Sequence, residues 1–230
     1  WADLGYDAHV KRTSRRPLVT GEVTPREALA VGAGLALCAF ALVLFTNRAT
    51  IVLAVAALAI SIAYPFLKRF FALPQAFLGI AFSFGIPMAF ASVRGEVEWP
   101  DWPMLAINLL WVMAYDTEYA MVDRDDDVRI GMRTSAITFG RFDIAAVAIS
   151  YAGYLAGMAW VGRLMALGPV YYAGLLAALA CAVYHLWLIR DRDREACFRA
   201  FLHNHWFGFV VFAGTALDYV VRARAWPRLA

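Results

Sequence analysis

Seven stretches of the chain, at about 28–46, 50–67, 73–92, 104–121, 142–162, 168–189 and 206–223, are long and apolar enough to cross or nearly cross a membrane. The hydrocarbon core they must span is about 30 Å thick. Inside it no water satisfies backbone N–H and C=O groups, so only helices or a closed barrel can cross. The runs are too long for strands and lack alternation of apolar and polar residues, which leaves helices. With 62% hydrophobic and only 17% charged residues among 230, an ordinary soluble domain is excluded. No long or low-complexity linker separates the runs. The expectation is an all-α integral membrane helical bundle with seven transmembrane helices, forming one domain over residues 1–230. Pro65, Pro74 and Pro87 are expected at helix ends or kinks.

Charge sets the orientation. Taking the segments alternately, fifteen of the 21 Lys and Arg residues fall on one side, among them Lys11, Arg12, Arg15, Arg16, Lys68, Arg69, Arg124 and Arg133. The other side receives six: Arg48, Arg94, Arg163, Arg222, Arg224 and Arg228. The positive-inside rule makes the richer side cytoplasmic. A net charge of +3, with basic residues this scattered, argues against nucleic acid as a partner. Cys38, Cys181 and Cys197 read as buried free thiols. His203 and His205 point to different sides of a helix with no third ligand near, and His9 and His185 stand isolated, so no histidine metal site is expected.

Against this background the acids stand out. Asp3 and Asp7 are spaced i, i+4, while Asp116, Asp123 and Asp127 are spaced i, i+7, i+11; each set projects from one face if helical. Both fall on the cytoplasmic side. Six carboxylates lie between Asp116 and Asp127, counting Glu118, and would repel one another without counterions. Hard divalent cations relieve this, and Mg²⁺ characteristically bridges a few carboxylates to substrate phosphates. A single Asp-x-x-x-Asp usually marks nothing more than solvated surface acids. Two on one face of a membrane protein, each followed by basic residues, point to a metal-held diphosphate. Arg12-Thr13-Ser14 after the first pair and Arg133-Thr134-Ser135 after the second form a faint internal echo. Lys68 and Arg69, ending a span beside Tyr64-Pro65, suit phosphate oxygens. An alternative class is a cation-coupled transporter, but transporter sites usually lie near the bilayer midplane, whereas these acids cluster at one edge.

WADLGYDAHVKRTSRRPL resembles the first motif of the UbiA superfamily of intramembrane prenyltransferases, N-D-x-x-D-x-x-x-D, with Asp3 and Asp7 matching its second and third aspartates. DTEYAMVDRDDD resembles the second motif at Asp116, Tyr119, Ala120, Asp123 and Asp127, and AYPFLKRFFALPQ resembles the Tyr-Pro-x-x-Lys-Arg segment. IPMAFA and REACFRAF are similar to the branch that prenylates 4-hydroxybenzoate. Arg133 stands where many members carry lysine. The resemblance implies a prenyl-synthase-like pseudo-repeat arrangement of nine helices, and hence a chain lacking the first two. It implies Mg²⁺-dependent transfer of a polyprenyl group from an allylic diphosphate to the ring carbon ortho to the hydroxyl of 4-hydroxybenzoate, in ubiquinone biosynthesis, in the bacterial inner membrane with the site facing the cytoplasm. Asp3, Asp7, Asp116, Asp123 and Asp127 would bind metal. Asp123 and Asp127 are also candidates for polarising the acceptor phenol. Lys68, Arg69, Lys11, Arg12, Arg16, Arg133 and Tyr119 would contact the diphosphate or the acceptor carboxylate, Arg69 acting also in catalysis, and Tyr64 would steady the carbocation. Besides the two substrates and lipid, no obligate protein partner is expected. The same fold acting on another aromatic acceptor stays open.

Overall fold

The computed structural model describes residues 1–67 and 71–225, and no strand occurs among them. Two short helical turns, α1 (Leu4–Asp7) and α2 (Pro17–Thr20), precede α3 (Pro25–Val43) and α4 (Arg48–Leu67). Then come α5 (Pro74–Ser83), α6 (Gly85–Arg94), the long α7 (Asp101–Ile130) and the short α8 (Ser135–Phe139). A 3₁₀ turn leads into α9 (Asp143–Leu164), α10 (Pro169–Ile189) and α11 (Arg194–Ala225).

Six segments among the described residues are long and apolar enough to cross a membrane: Pro25–Val43, Arg48–Leu67, Pro74–Arg94, Ser135–Leu164, Pro169–Ile189 and Arg194–Ala223. The seventh expected window, 104–121, is the first two-thirds of α7, where Asp116, Glu118 and the acids beyond them dilute the apolar character. The window 73–92 is one span built of two helices. Pro87 lacks an N–H and its ring crowds the carbonyl four residues back, so the helix breaks at Phe84. Pro74 sits in the first turn of α5, and Pro65 lies near the end of α4.

The chain forms two compact units, one of Trp1–Leu109 with Asp123–Thr138, the other of Leu110–Val122 with Phe139–Ala230. In the first, α3 begins with a capping box, Thr24 accepting from the Glu27 N–H while Glu27 accepts from Thr24. None of its residues is buried, so Cys38, expected inside, is exposed on an apolar surface. Asn47 ties α4 to the end of α6: its Nδ2 donates to the Ala91 carbonyl at 2.6 Å, while its Oδ1 accepts from the Thr50 N–H at 3.1 Å. Asn108 of α7 donates to Ser83 at 2.9 Å. Helix α7 ends at Gly131, whose φ of 72° is a left-handed conformation that a side chain would strain.

In the second unit α10 and α11 approach closely. A Cβ added to Gly174 would lie 2.8 Å from the Val210 carbonyl oxygen and 2.9 Å from the Gly214 Cα, so only glycine allows this crossing. The buried Asp218 of α11 reaches back to the start of α10, accepting from the Gly168 N–H at 2.8 Å and the Tyr171 N–H at 3.4 Å. Arg192, between α10 and α11, holds the buried Asp143 at the start of α9 through Nε at 3.0 Å and Nη2 at 2.6 Å. The hydrogen bond with Asp143 raises the Arg192 pKa, keeping the guanidinium charged.

Candidate functional site

Residues 8–16 lie along the last turns of α7 within the first unit. Arg12 grips Asp123 with both arms of its fork, Nη2 at 2.6 Å and Nε at 3.1 Å from Oδ2. The Lys11 N–H donates to Asp126 Oδ2 at 3.2 Å. Arg16 pairs with Asp7 at 3.0 Å, and the buried Thr13 hydroxyl donates to the Asp7 carbonyl at 2.8 Å, closing the loop on itself. Asp123, Asp126 and Asp127 are buried, while Lys11, Arg16 and Arg133 are exposed. Carboxylates thus line the helix, with guanidinium groups over them, and the bonds are charge-assisted.

The expected residues divide as follows. Asp7, Lys11, Arg12, Arg16 and Asp123 come together, and Asp127 follows Asp123 by one turn. Asp3 is the residue preceding α1. Asp116 is buried two turns upstream of Asp123 on α7, in the second unit. On a helix of 3.6 residues per turn, spacings of seven and eleven keep Asp123 and Asp127 each within about 20° of Asp116, about 40° from one another. Tyr119 stacks on Phe201 of α11, with ring centroids 4.4 Å apart. Tyr64 lines a cavity of about 230 Å³ with Ser61, Leu78, Ala81 and Phe82. Lys68 and Arg69 lie outside the described residues. The segment after them is anchored, since the Ala72 carbonyl accepts from Thr138 at 2.5 Å and the Gln75 Oε1 from the Ser135 N–H at 2.9 Å.

One reading of the sequence needs correction, and one residue was missed. His185 is not isolated: its Nε2 lies 2.9 Å from His203 Nδ1 and its Nδ1 lies 2.8 Å from the Tyr151 hydroxyl. The two imidazoles therefore bond to each other, and that of His185 also to Tyr151. Asp126, which the sequence offers only as one acid in a run of three, is the acceptor that docks the loop.

Among the described residues no three His, Cys, Asp or Glu side chains converge as a metal-binding group. Mg²⁺ does not require such a cage, since it is typically held by one or two carboxylates together with substrate phosphates and water. The all-oxygen, singly spaced donors along this surface fit that ion, with Asp7 and Asp123 now engaged by arginine.

Helices of membrane-crossing length, with aspartates paired to arginines, are the features in which this chain resembles the intramembrane prenyltransferases. The chain belongs to the UbiA prenyltransferase family, whose pattern matches residues 1–212. It is 61% identical over 222 residues to the 4-hydroxybenzoate octaprenyltransferase of Cupriavidus necator, covering 96% of this chain and 78% of that protein. Identity to the enzyme of the same name from Nitrosospira multiformis is 58% over 223 residues, covering 97% of this chain and 77% of that one. The fold is shared with a UbiA homolog from Aeropyrum pernix K1 solved in its apo form, with a TM-score of 0.80, 26% identity, and 95% and 82% of the two chains covered. A digeranylgeranylglyceryl phosphate synthase, at 17% identity, shares the fold alone, with a TM-score of 0.67 over 94% of this chain and 77% of that one.

Proposed function

We propose that the protein transfers a polyprenyl group from an allylic polyprenyl diphosphate to the carbon ortho to the hydroxyl of 4-hydroxybenzoate, with Mg²⁺, in ubiquinone biosynthesis. The observation that carries the substrate assignment is the 61% identity, across 96% of this chain, to a protein named for that acceptor and an octaprenyl donor. The local chemistry of the charged cluster supports the donor half.

Asp3, Asp7, Asp123 and Asp127 are the proposed metal ligands, with Asp116 included for its place on the same face of α7. When bound, Mg²⁺ neutralises charge building on the departing diphosphate. Asp123 and Asp7 would hold the metal, and Arg12 and Arg16, which pair with them in this structure, would then take diphosphate oxygens. The fork that now spans Asp123 suits such a bidentate contact. Lys11, Lys68, Arg69 and Arg133 add positive charge for the diphosphate or the acceptor carboxylate. The C–O bond breaks, diphosphate keeps the electron pair, and the allylic cation is attacked by the ring carbon. Loss of the proton from that carbon restores aromaticity. Tyr64 presents a ring face to the cation, Tyr119 contributes to the substrate wall, and Asp123 or Asp127 polarises the phenol. Arginine-rich segments beside these acids support a cytoplasmic location for the site in a bacterial inner membrane.

The test is turnover of a labelled polyprenyl diphosphate with 4-hydroxybenzoate in membranes carrying the protein. Prenylated 4-hydroxybenzoate that requires Mg²⁺ and disappears with EDTA is expected. Equal product with EDTA, or preferential prenylation of another aromatic acid from a panel, would overturn the assignment.

A further inference from the structure

Helix α7 carries a second polar set, which the proposed reaction does not use. Glu118, Tyr151 and His185 are fully or almost fully buried, and Asn204 is 5% exposed. They come from α7, α9, α10 and α11, all within the second unit. Asn204 Nδ2 donates to Glu118 Oε2 at 2.7 Å and to the Ala200 carbonyl at 3.0 Å. The Tyr151 hydroxyl lies 3.0 Å from Glu118 Oε1 and 2.8 Å from Asn204 Oδ1, either of which can accept its one proton, and Trp111 Nε1 donates to Asn204 Oδ1 at 3.0 Å.

Counting protons gives the set a direction. Both Glu118 oxygens act as acceptors, and both Asn204 N–H groups are used. The tyrosine has one proton, and giving it to Glu118 makes its oxygen an acceptor toward His185. His185 must then carry its proton on Nδ1 and accept at Nε2, so His203 donates from Nδ1. With the hydroxyl proton on Glu118 every donor in the set has an acceptor, the condition under which a buried polar network holds its helices in place. Trp111 is fitted as tightly: a Cβ on Gly208 would lie 2.5 Å from its ring.

Asp116 precedes Glu118 by two residues, about 200° around the helix, so the two side chains leave α7 on nearly opposite sides. We propose that the Glu118–Tyr151–Asn204 cluster, with His185 and Trp111 behind it, is a positioning device. By clamping one side of α7 to α9 and α11 it fixes the rotation of the helix, and with it the direction in which Asp116 is held toward the cation. A carboxylate roughly 6 Å from the axis moves about 2 Å for each 20° of rotation, enough to spoil a cation site. This inference rests on the proposed function, in which Asp116 is a ligand.

The experiment uses isosteric variants of the purified protein in lipid nanodiscs, Glu118→Gln, Asn204→Asp and the two combined, with Mn²⁺ as probe. Glu118→Gln puts an N–H₂ where the Asn204 amide or the Tyr151 hydroxyl had an acceptor, and Asn204→Asp sets two carboxylates together. The double variant exchanges donor and acceptor across the 118–204 contact and removes that clash, leaving only the Ala200 carbonyl without its donor. Each single variant is expected to raise the Mn²⁺ dissociation constant, read by electron paramagnetic resonance, by about tenfold. The Mg²⁺ concentration for half-maximal turnover should rise in parallel, and the double variant should bring both back toward the parent. Singles that keep the parent's Mn²⁺ affinity while losing only thermal stability overturn the inference and leave the proposed function standing. So does a double variant no better than either single. A parent that binds no Mn²⁺ and gives no product overturns the proposed function, and this inference with it.

Discussion

Asp123 and Glu118 lie five residues apart on α7, yet their surroundings are opposite in kind. Asp123 faces a guanidinium group that is itself 27% exposed, on a loop held to the helix by a few hydrogen bonds. Glu118 faces a hydroxyl and an amide on two long helices and has no exposed surface. A carboxylate matched by a mobile cation can change partner when another cation arrives. One matched by neutral donors from packed helices holds its place. The contrast teaches that one helix carries both a carboxylate with an exchangeable charged partner and one locked into the packing of its neighbours.

The first way to break the comparison is at Asp123. Asp123→Asn should lower turnover by roughly 10²–10³, the scale of removing one preorganised group that stabilises developing charge. The melting temperature in detergent should hardly move, because Arg12 reaches solvent. A variant with near-normal Mg²⁺-dependent turnover would remove Asp123 from the site. At Glu118 the balance should reverse. Glu118→Leu removes one acceptor from the Tyr151 hydroxyl and one from the Asn204 amide, which keep Asn204 Oδ1 and the Ala200 carbonyl, so the loss should be about 1–3 kcal/mol in all. Thermal unfolding followed by circular dichroism reads that loss, and an unchanged midpoint would show that the cluster carries no strain of this kind.

Arg12→Lys sharpens the exchange of partners. It keeps the charge and loses the fork, so the KM for the diphosphate should rise about tenfold with kcat less affected, the weight of one charged hydrogen bond. A change confined to kcat would argue that Arg12 never holds the donor. The smallest effects separate the two halves of the sequence echo. Thr13→Val deletes a hydrogen bond to the Asp7 carbonyl and should cost about 0.5–1.5 kcal/mol. Thr134 Oγ1 is buried with no hydrogen-bond partner among the described residues, so Thr134→Val should be neutral or slightly stabilising. Equal losses at the two positions would mean that the echo is structural as well as textual.

The spans were legible because hydrocarbon thickness demands long apolar runs, and so was the break near Pro87, which follows from the missing N–H. The pairing of Asp7, Arg12 and Asp123 was half legible: the acids and bases stood out, but which guanidinium meets which carboxylate depends on how the loop folds back. Glu118 was hidden. In the sequence it is one of six carboxylates, and its partners are 33, 67 and 86 positions away at Tyr151, His185 and Asn204. Only the rotations of four helices bring them together. The isolation of His185 was misread for the same reason, since a lone histidine in an apolar run gives no sign of a neighbour on another helix.

The reach of Asp218 to the first turn of α10 bears on how the chain is built during synthesis. Until the ribosome has released residue 218, the N–H groups of Gly168 and Tyr171 lack the carboxylate that later receives them. Helix α10 is therefore made with a ragged beginning, and it is α11 that seals it. A stop codon ahead of position 218 should leave that first turn open, a clasp never closed from behind.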